Sequence, residues 1–171
     1  MAITTAAGIS VTTVTDESAP GADDASQLAP LGFELVVPTA NAGEQTWIYV
    51  KANGNLAAGT VVARGAGVAA LTYADVIPAP IITGVNGVVG VAVTLIPDNG
   101  YGFILKKGVC GVIAGTGTID INEVLVVDST DAGTAMRYTA GAATSLDSGF
   151  GWAASNAAAT AVAQCYINCV G

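Results

Sequence analysis

Apolar and polar residues alternate along this chain in short runs, the pattern of half-buried β-strands. The alternation begins after Pro30, with Phe33, Leu35 and Val37 on one side of a first predicted strand. Similar runs recur to the C-terminus, and glycine, proline or Asn/Asp clusters separate nearly all of them. The further predicted strands span 47–51, 60–63, 68–73, 88–94, 101–106, 109–114, 123–127, 135–139, 150–154 and 162–170. This spacing predicts an all-β fold, an antiparallel β-sandwich or β-barrel.

The segment 153–163 (AASNAAATAVA) has the alanine content of a helix. An isolated helix of about eleven residues would be marginal in water, however. Thr160 and Val162 also favour a strand in its C-terminal part. We therefore predict a strand, a turn at Ser155 and Asn156, and a second strand.

The first thirty residues differ in composition from the rest, being rich in Thr, Ala, Asp and Ser. We predict an N-terminal arm and acidic loop over 1–30 and a β domain over 31–171. Ile9, Val11 and Val14 are the arm's strand-forming residues, and we take them as candidate contact residues. Such an arm would add an edge strand to a neighbouring protein.

Two stretches of the β domain resemble each other. The aromatic strand and glycine turn at 47–54 can be laid over 101–108, an offset of 54 residues, and the Gly-apolar strands at 87–93 and 149–154 correspond at about 61. This predicts an internal repeat, 45–96 and 99–155, in which two related meanders share one core. A merely compositional similarity between Gly-rich β-sequences is the alternative.

Composition narrows the classes of partner. Only 11% of the 171 residues are charged, against about 25% in typical domains, and the apolar 52% is mostly Ala and Val. The surface is therefore expected to be unusually apolar, which favours self-association. A net charge of −8 disfavours nucleic acid and anionic membranes. The most apolar stretch, 81–96, is too short and too interrupted to span a bilayer.

The residues available for chemistry exclude much of enzymology. The chain has no histidine, so a Ser-His or Cys-His nucleophile pair cannot form. The acidic loop has no EF-hand spacing and is interpreted as solvated rather than as a cation site. The remaining aspartates considered as acid-base groups fall in predicted turns and are interpreted as solvated: Asp98, Asp120, Asp128, Asp131 and Asp147. We expect no catalytic residue, cofactor or metal.

Two further groups are interpreted as core. Cys110, Cys165 and Cys169 are predicted to be reduced, buried thiols, since three cysteines are too few for a four-ligand zinc site. A set of aromatic residues alternating on strands is compatible with a sugar or nucleobase platform, but core packing is favoured. These aromatic residues are Trp47, Tyr49, Tyr101 and Phe103.

Several segments together resemble the small capsid-decorating proteins of tailed bacteriophages. They are the aromatic strand with its Lys-x-x-Gly or Lys-Lys-Gly turn (YGFILKKGVCGVIAG), the VLVVDSTDAG segment and the closing GFGWAAS strand. The resemblance covers about 45–170, and its motifs are compositional rather than chemical. It implies a β-rich auxiliary head protein on the outer surface of the virion capsid, made in the host cytoplasm.

The resemblance also implies the partners: the major capsid protein and other copies of this chain, with a homotrimer favoured. Few charges, small side chains and the lack of a catalytic constellation agree with a structural, non-enzymatic role. The function expected from the sequence is therefore capsid decoration, or cementing. A head-fibre or tail-associated module that binds a receptor or glycan is the alternative, and a carboxylate-only enzyme is a more remote one.

Overall fold

The computed structural model describes residues 10–16, 27–39, 43–65, 73, 75–80, 87–139 and 149–169. Within these ranges the regular elements are all β-strands, which confirms the predicted all-β, antiparallel fold. The strands are β1 (Thr15–Asp16), β2 (Glu34–Thr39), β3 (Gly43–Lys51), β4 (Val61–Arg64), β5 (Val76–Pro78), β6 (Val88–Ala92), β7 (Gly100–Ile113), β8 (Val124–Val127), β9 (Ala135–Arg137), β10 (Gly151–Ala153) and β11 (Val162–Asn168).

The strands form one network of antiparallel pairing centred on β7. The main path runs β5-β4-β6-β7-β11-β10-β8-β9 and does not close into a barrel. Strand β3 pairs with β7 as well, and β2 continues outward from β3. The short β1 pairs with the start of β7. Within the described ranges, no helix is long and apolar enough to cross a membrane.

Strand β7 corrects the sequence-based prediction of two strands separated by a Lys-Lys-Gly turn. The chain runs straight through Gly108, which pairs with Ile167 and adopts a φ of 131° that other residues rarely reach. The turn does not form because both flanks have continuous partners. Residues 101–107 pair with β3, and residues 107–113 pair with β11. The single 14-residue strand β7 therefore pairs with β3 along its first part and with β11 along its second part.

Other predicted strands have a mixed outcome. The alanine-rich segment joins two strands, since β10 ends at Ala153 and β11 begins at Val162, but its hydrogen-bonded turn lies at 158–161 rather than at Ser155 and Asn156. Strand β5 was not predicted, and the predicted strand 68–73 lies outside the described residues except for Tyr73. A three-residue strand such as β5 carries too little alternation to be recognised from sequence.

Four connections between strands share one backbone geometry, and we call them corners. Each begins with a bridge residue, and the residue three positions later has a φ between 60° and 88°. The next N–H then donates to the carbonyl three residues back, over 2.9 to 3.2 Å, which is the pattern of a type II turn. The bridge residues are Leu56, Ile96, Ile119 and Ala157, and the positive-φ residues are Gly59, Asn99, Asn122 and Thr160.

The corners are joined in two pairs. Leu56 and Ile96 exchange backbone hydrogen bonds of 2.8 and 2.9 Å, and Ile119 and Ala157 exchange bonds of 3.0 and 2.8 Å. The first pair connects β3 to β4 and β6 to β7; the second connects β7 to β8 and β10 to β11. The molecule thus has two equivalent halves. The first half consists of β3 to β6 with residues 100–106 of β7, and the second of residues 107–113 of β7 with β8 to β11.

The two halves differ in how they are buried. A main core contains one face of the first half together with the inner face of the second. A second core cluster lies on the other face of the first half, and Val14 and Tyr73 pack against it. This second cluster consists of Ile48, Val50, Ala52, Leu56, Val62, Val76, Val89, Ala92, Ile96 and Ile104. The first half is therefore buried on both faces. The proposed division into arm and β domain stays a prediction.

Candidate docking surface

A row of four apolar residues crosses the strands of the first half. Val61 pairs with Val91, Val91 with Leu105, and Leu105 with Trp47. Directly paired residues in an antiparallel sheet point to the same face, so the four side chains are neighbours. All four belong to the main core and are at most 4% exposed.

An equivalent row crosses the second half in the same register. Val124 pairs with Trp152, Trp152 with Tyr166, and Tyr166 with Val109. These positions follow those of the first row by 61 to 63 residues. Here Trp152 is 48% exposed, Val124 43% and Val109 36%, while Tyr166 is half-buried. We call these four residues the open row.

The aromatic pair at the centre of the open row has a defined arrangement. The rings of Trp152 and Tyr166 are stacked with centroids 4.6 Å apart and planes 23° from parallel. Such a pair contributes about 0.5–1.5 kcal/mol beyond the area it buries. The stack limits the rotamers of both rings and still leaves nearly half of Trp152 open to solvent. The row therefore presents a pre-ordered apolar surface.

The surroundings of the open row are polar but not acidic. One flanking row carries Gly111 opposite Gln164, and the other carries Lys107 opposite Asn168. Val162, at 55% exposure, extends the apolar area along β11. An apolar, aromatic centre depleted of charge with a polar rim is the composition of protein–protein interfaces. The arrangement is suited to docking against another protein surface.

The residues predicted to form a contact arm lie partly in this chain's own core. Val11 is only 2% exposed and belongs to the main core, and Val14 packs against the second cluster. Ile9 lies outside the described residues. The placement of Val11 and Val14 gives this segment a role within its own fold, and contact with a neighbour stays a prediction.

The aromatic residues singled out from the sequence are core residues. Trp47, Tyr49, Tyr101 and Phe103 are each at most 5% exposed, so their ring faces are not open to a sugar or a base. Tyr49 stacks on Tyr101 and tilts against Phe103, and its hydroxyl accepts a hydrogen bond from the N–H of Leu28. The exposed aromatic pair is elsewhere, at Trp152 and Tyr166.

The three cysteines are buried, free thiols, as predicted. Cys110 lies directly opposite Cys165 in the β7–β11 pairing. Burial raises the pKa of all three thiols to about 12, and for Cys110 the neighbouring Cys165 and Cys169 add to the effect. Since the thiolate is the reactive and metal-binding form, these side chains behave as small apolar residues at neutral pH.

Asp128 corrects the interpretation of the turn aspartates as solvated. It is 1% exposed, and its carboxylate accepts hydrogen bonds from the N–H groups of Thr130, Asp131 and Thr116 at 2.7, 3.3 and 3.0 Å. The Thr130 hydroxyl donates as well, at 2.7 Å. Burial alone would raise the pKa of this carboxyl, but the hydrogen bonds, led by those from Thr130, hold it below its ordinary value. Asp128 thus organises the β8–β9 turn.

The other turn aspartates have different outcomes. Asp98, Asp120 and Asp131 are exposed, as predicted, and Asp98 accepts a hydrogen bond from the N–H of Gly54. Asp147 and the loop residues Glu17 and Asp23 lie outside the described part of the chain. Where the structure describes the chain, no group of three or more His, Cys, Asp and Glu side chains is placed to hold a metal ion.

Sequence reasoning missed the open row. Trp152 lies in the GFGWAAS segment, which contributed to the family resemblance but not to a site. The signal that could have found it is the repeat itself, because Trp152 and Tyr166 follow Val91 and Leu105 by 61 residues each. That correspondence marks them as positions of one row, but it does not reveal that the row is uncovered.

Comparison with known proteins gives a likeness of fold. No protein-family model matches the chain, and no curated protein matches it. Among solved structures, the chain is similar to the head fiber N base in bacteriophage phi29, with a TM-score of 0.52 and 17% identity. The similarity covers 72% of this chain and 94% of that one. At this identity the likeness establishes a shared fold.

Proposed function

We propose that this chain is a structural, non-enzymatic protein of a tailed-phage head that binds the outside of the assembled capsid. The observation that carries the proposal is the fold, which matches 94% of a phage head fiber base. The sequence resemblance to capsid-decorating proteins points to the same location in the virion. The partners are then the major capsid protein and further copies of this chain, with a trimer favoured.

Within that role the primary candidate is a decoration protein that stabilises the shell. It is supported by the sequence resemblance and by the low content of charged residues, 11%. Apolar, weakly charged surfaces are suited to extensive contacts with other subunits. Stabilisation follows by mass action, because a protein that binds only the intact shell shifts the equilibrium towards it.

The second candidate is the attachment base of a head fibre. It is favoured by the likeness to the phi29 head fiber N base, whose length is almost fully covered. A base of this kind needs a contact with the shell, but it does not need to cover the shell or stabilise it. The two candidates therefore differ in copy number and in their effect on shell stability.

Co-sedimentation of the purified full-length chain with capsid shells tests the proposal. The shells are assembled from the major capsid protein of the phage that encodes this chain. We expect saturable binding and the chain's presence in purified virions at a fixed ratio to that protein. Decoration predicts a ratio near the number of lattice positions and a higher melting temperature of the shell. A fibre base predicts few copies and an unchanged melting temperature. Absence of binding together with absence from virions would refute both.

A further inference from the structure

We propose that the open row is the face through which copies of this chain associate with one another. The inference rests on the proposed function in one respect, since an oligomer on the shell needs a subunit interface. It goes further by assigning that interface to Val124, Trp152, Tyr166 and Val109. The occupant of the face is therefore a second copy of this chain.

The equivalent row of the first half is covered by this chain itself. In the first half, Val61, Val91 and Leu105 have no exposed surface at all. That row lies in one core cluster with the inner face of the second half, so this chain already supplies a surface that covers such a row. In the second half the row stays fully apolar without such a cover. The open row of a second copy has the same composition and strand spacing, and it is equally uncovered.

The distribution of charge also favours this face for association between copies. The chain carries a net charge of −8, so two copies repel each other wherever their acidic residues meet. The open row has no charged residue, and its flanking rows contribute Lys107 but no acid. Among the exposed acidic residues, Asp98, Asp120 and Asp131 belong to turns, and Glu34 and Glu44 lie on β2 and β3, outside the open row. The open row is thus a face on which like-charged copies can meet without burying acid against acid.

The side chains exposed on the open row are of the kind that stabilises protein interfaces. Tryptophan and tyrosine are enriched among the residues that dominate binding energy in protein interfaces. Because Trp152 and Tyr166 are already stacked, little side-chain entropy is lost when a partner covers them. Val162 lies on the same face of β11, beyond Gln164, and adds exposed apolar surface that a second copy would cover.

Sedimentation of the full-length chain and matched variants tests the inference. Trp152→Glu and Val162→Glu each place an acid on the face, and Leu95→Glu places one at an equally exposed apolar residue between β6 and β7. We expect the wild type and Leu95→Glu to form the same oligomer. We expect the dissociation constant of the two face variants to rise at least about tenfold. Thermal unfolding identifies any variant that fails to fold. If one of the two face variants does not fold, the other still tests the inference.

Two outcomes overturn the inference: a wild type that stays monomeric at high concentration, or folded face variants that associate as the wild type does. Shell binding by the same proteins separates this result from the proposed function. Face variants that remain oligomeric but lose shell binding would assign the row to the shell, refuting the inference and supporting the function. A wild type that associates through the row but binds no shell would support the inference and refute the proposed function.

Discussion

The first and second halves of the molecule have the same strand register but different surroundings. Both place a continuous apolar row across four strands, Val61 to Trp47 in one half and Val124 to Val109 in the other. In the first half the row is core; in the second it faces solvent. An apolar strand face therefore indicates contact with other protein surface, but the pattern does not show whether the same chain or another chain supplies that surface.

The hairpins of the two halves also differ. Eleven residues connect β4 to β5, whereas seven connect β8 to β9. The shorter connection is organised by the buried carboxylate of Asp128, and Gly115 packs so closely on this carboxylate that a side chain there would collide with it. The second half thus uses a polar network where the first half uses a longer connection.

Introducing aspartate at equivalent positions of the two rows should give the largest contrast. Val61→Asp buries an unpaired carboxylate at a site with no exposure, so we expect a loss of more than about 4 kcal/mol and failure to fold. At concentrations where the chain is monomeric, Val124→Asp leaves the new carboxylate in water, and we expect a change of less than about 1 kcal/mol. Circular dichroism and urea unfolding measure both. Equal destabilisation by the two substitutions would contradict the equivalence of the rows and their different burial.

Asp128→Ala should destabilise the protein by about 3 kcal/mol, because it leaves the N–H groups of Thr130, Asp131 and Thr116 without their acceptor. The lowered pKa also sets a pH dependence. The contribution of Asp128 is fully present above the pKa of an unfolded aspartate, about 3.9, and is lost as pH falls through the lower folded pKa.

Urea unfolding across this acidic range measures the Asp128 effect. Asp128→Asn is the matched control, because it keeps one oxygen acceptor but does not titrate. We expect the wild type to lose stability relative to Asp128→Asn as the pH falls. Parallel curves for the two proteins would exclude the carboxylate as the source of the pH dependence.

Deleting residues 1–15 should remove part of the cover of the first half, which would make it more like the second half. The deletion removes Val11 from the main core and Val14 from the second cluster, where Val14 lies next to Gly102. We expect a loss of about 2 kcal/mol from the buried apolar area. Val11→Ala with Val14→Ala in the full-length chain is the control, since it removes the packing but keeps the arm.

Shell binding by the same two proteins then tests the predicted contact arm. A deletion that weakens attachment more than the double alanine variant does would support a contact made by the arm itself. Equal attachment by both variants would leave Val11 and Val14 with a purely structural role. Urea unfolding of the same two proteins measures how much of the first half's stability comes from this cover.

Much of the fold was predictable because local signals agree with it. Alternation and turn residues predicted most strands, and the alanine-rich segment 153–163 was correctly taken as non-helical despite its composition. The failure at Gly108 has a physical cause. A Lys-Lys-Gly sequence fits a turn locally, and only long-range pairing with β3 and β11 keeps it extended.

The candidate surface was less predictable because burial depends on tertiary contacts. Val91 and Trp152 occupy equivalent strand positions, and both are apolar, yet one is core and the other is exposed. The predicted repeat used an offset of 54 residues at Trp47 and of about 61 at the closing strands. The corners recur at 63 and 61 residues, which agrees with the second offset and not with the first. Asp128 was misjudged because a turn position does not reveal whether neighbouring N–H groups enclose its carboxylate.

The smallest effect we expect is at the corners, which share a geometry but differ in the residue at the positive-φ position. Thr160 has a φ of 63°, a conformation that costs a β-branched residue about 1 kcal/mol, whereas Asn99 and Asn122 occupy the equivalent position with little strain. Thr160→Asn should therefore stabilise the protein by about 0.5–1 kcal/mol, and the matched Asn122→Thr should destabilise it by a similar amount. Both residues are exposed, so no core packing changes, and the midpoint of urea unfolding measures the two shifts. Shifts of the same sign for both variants would mean that the corners are not governed by one backbone geometry.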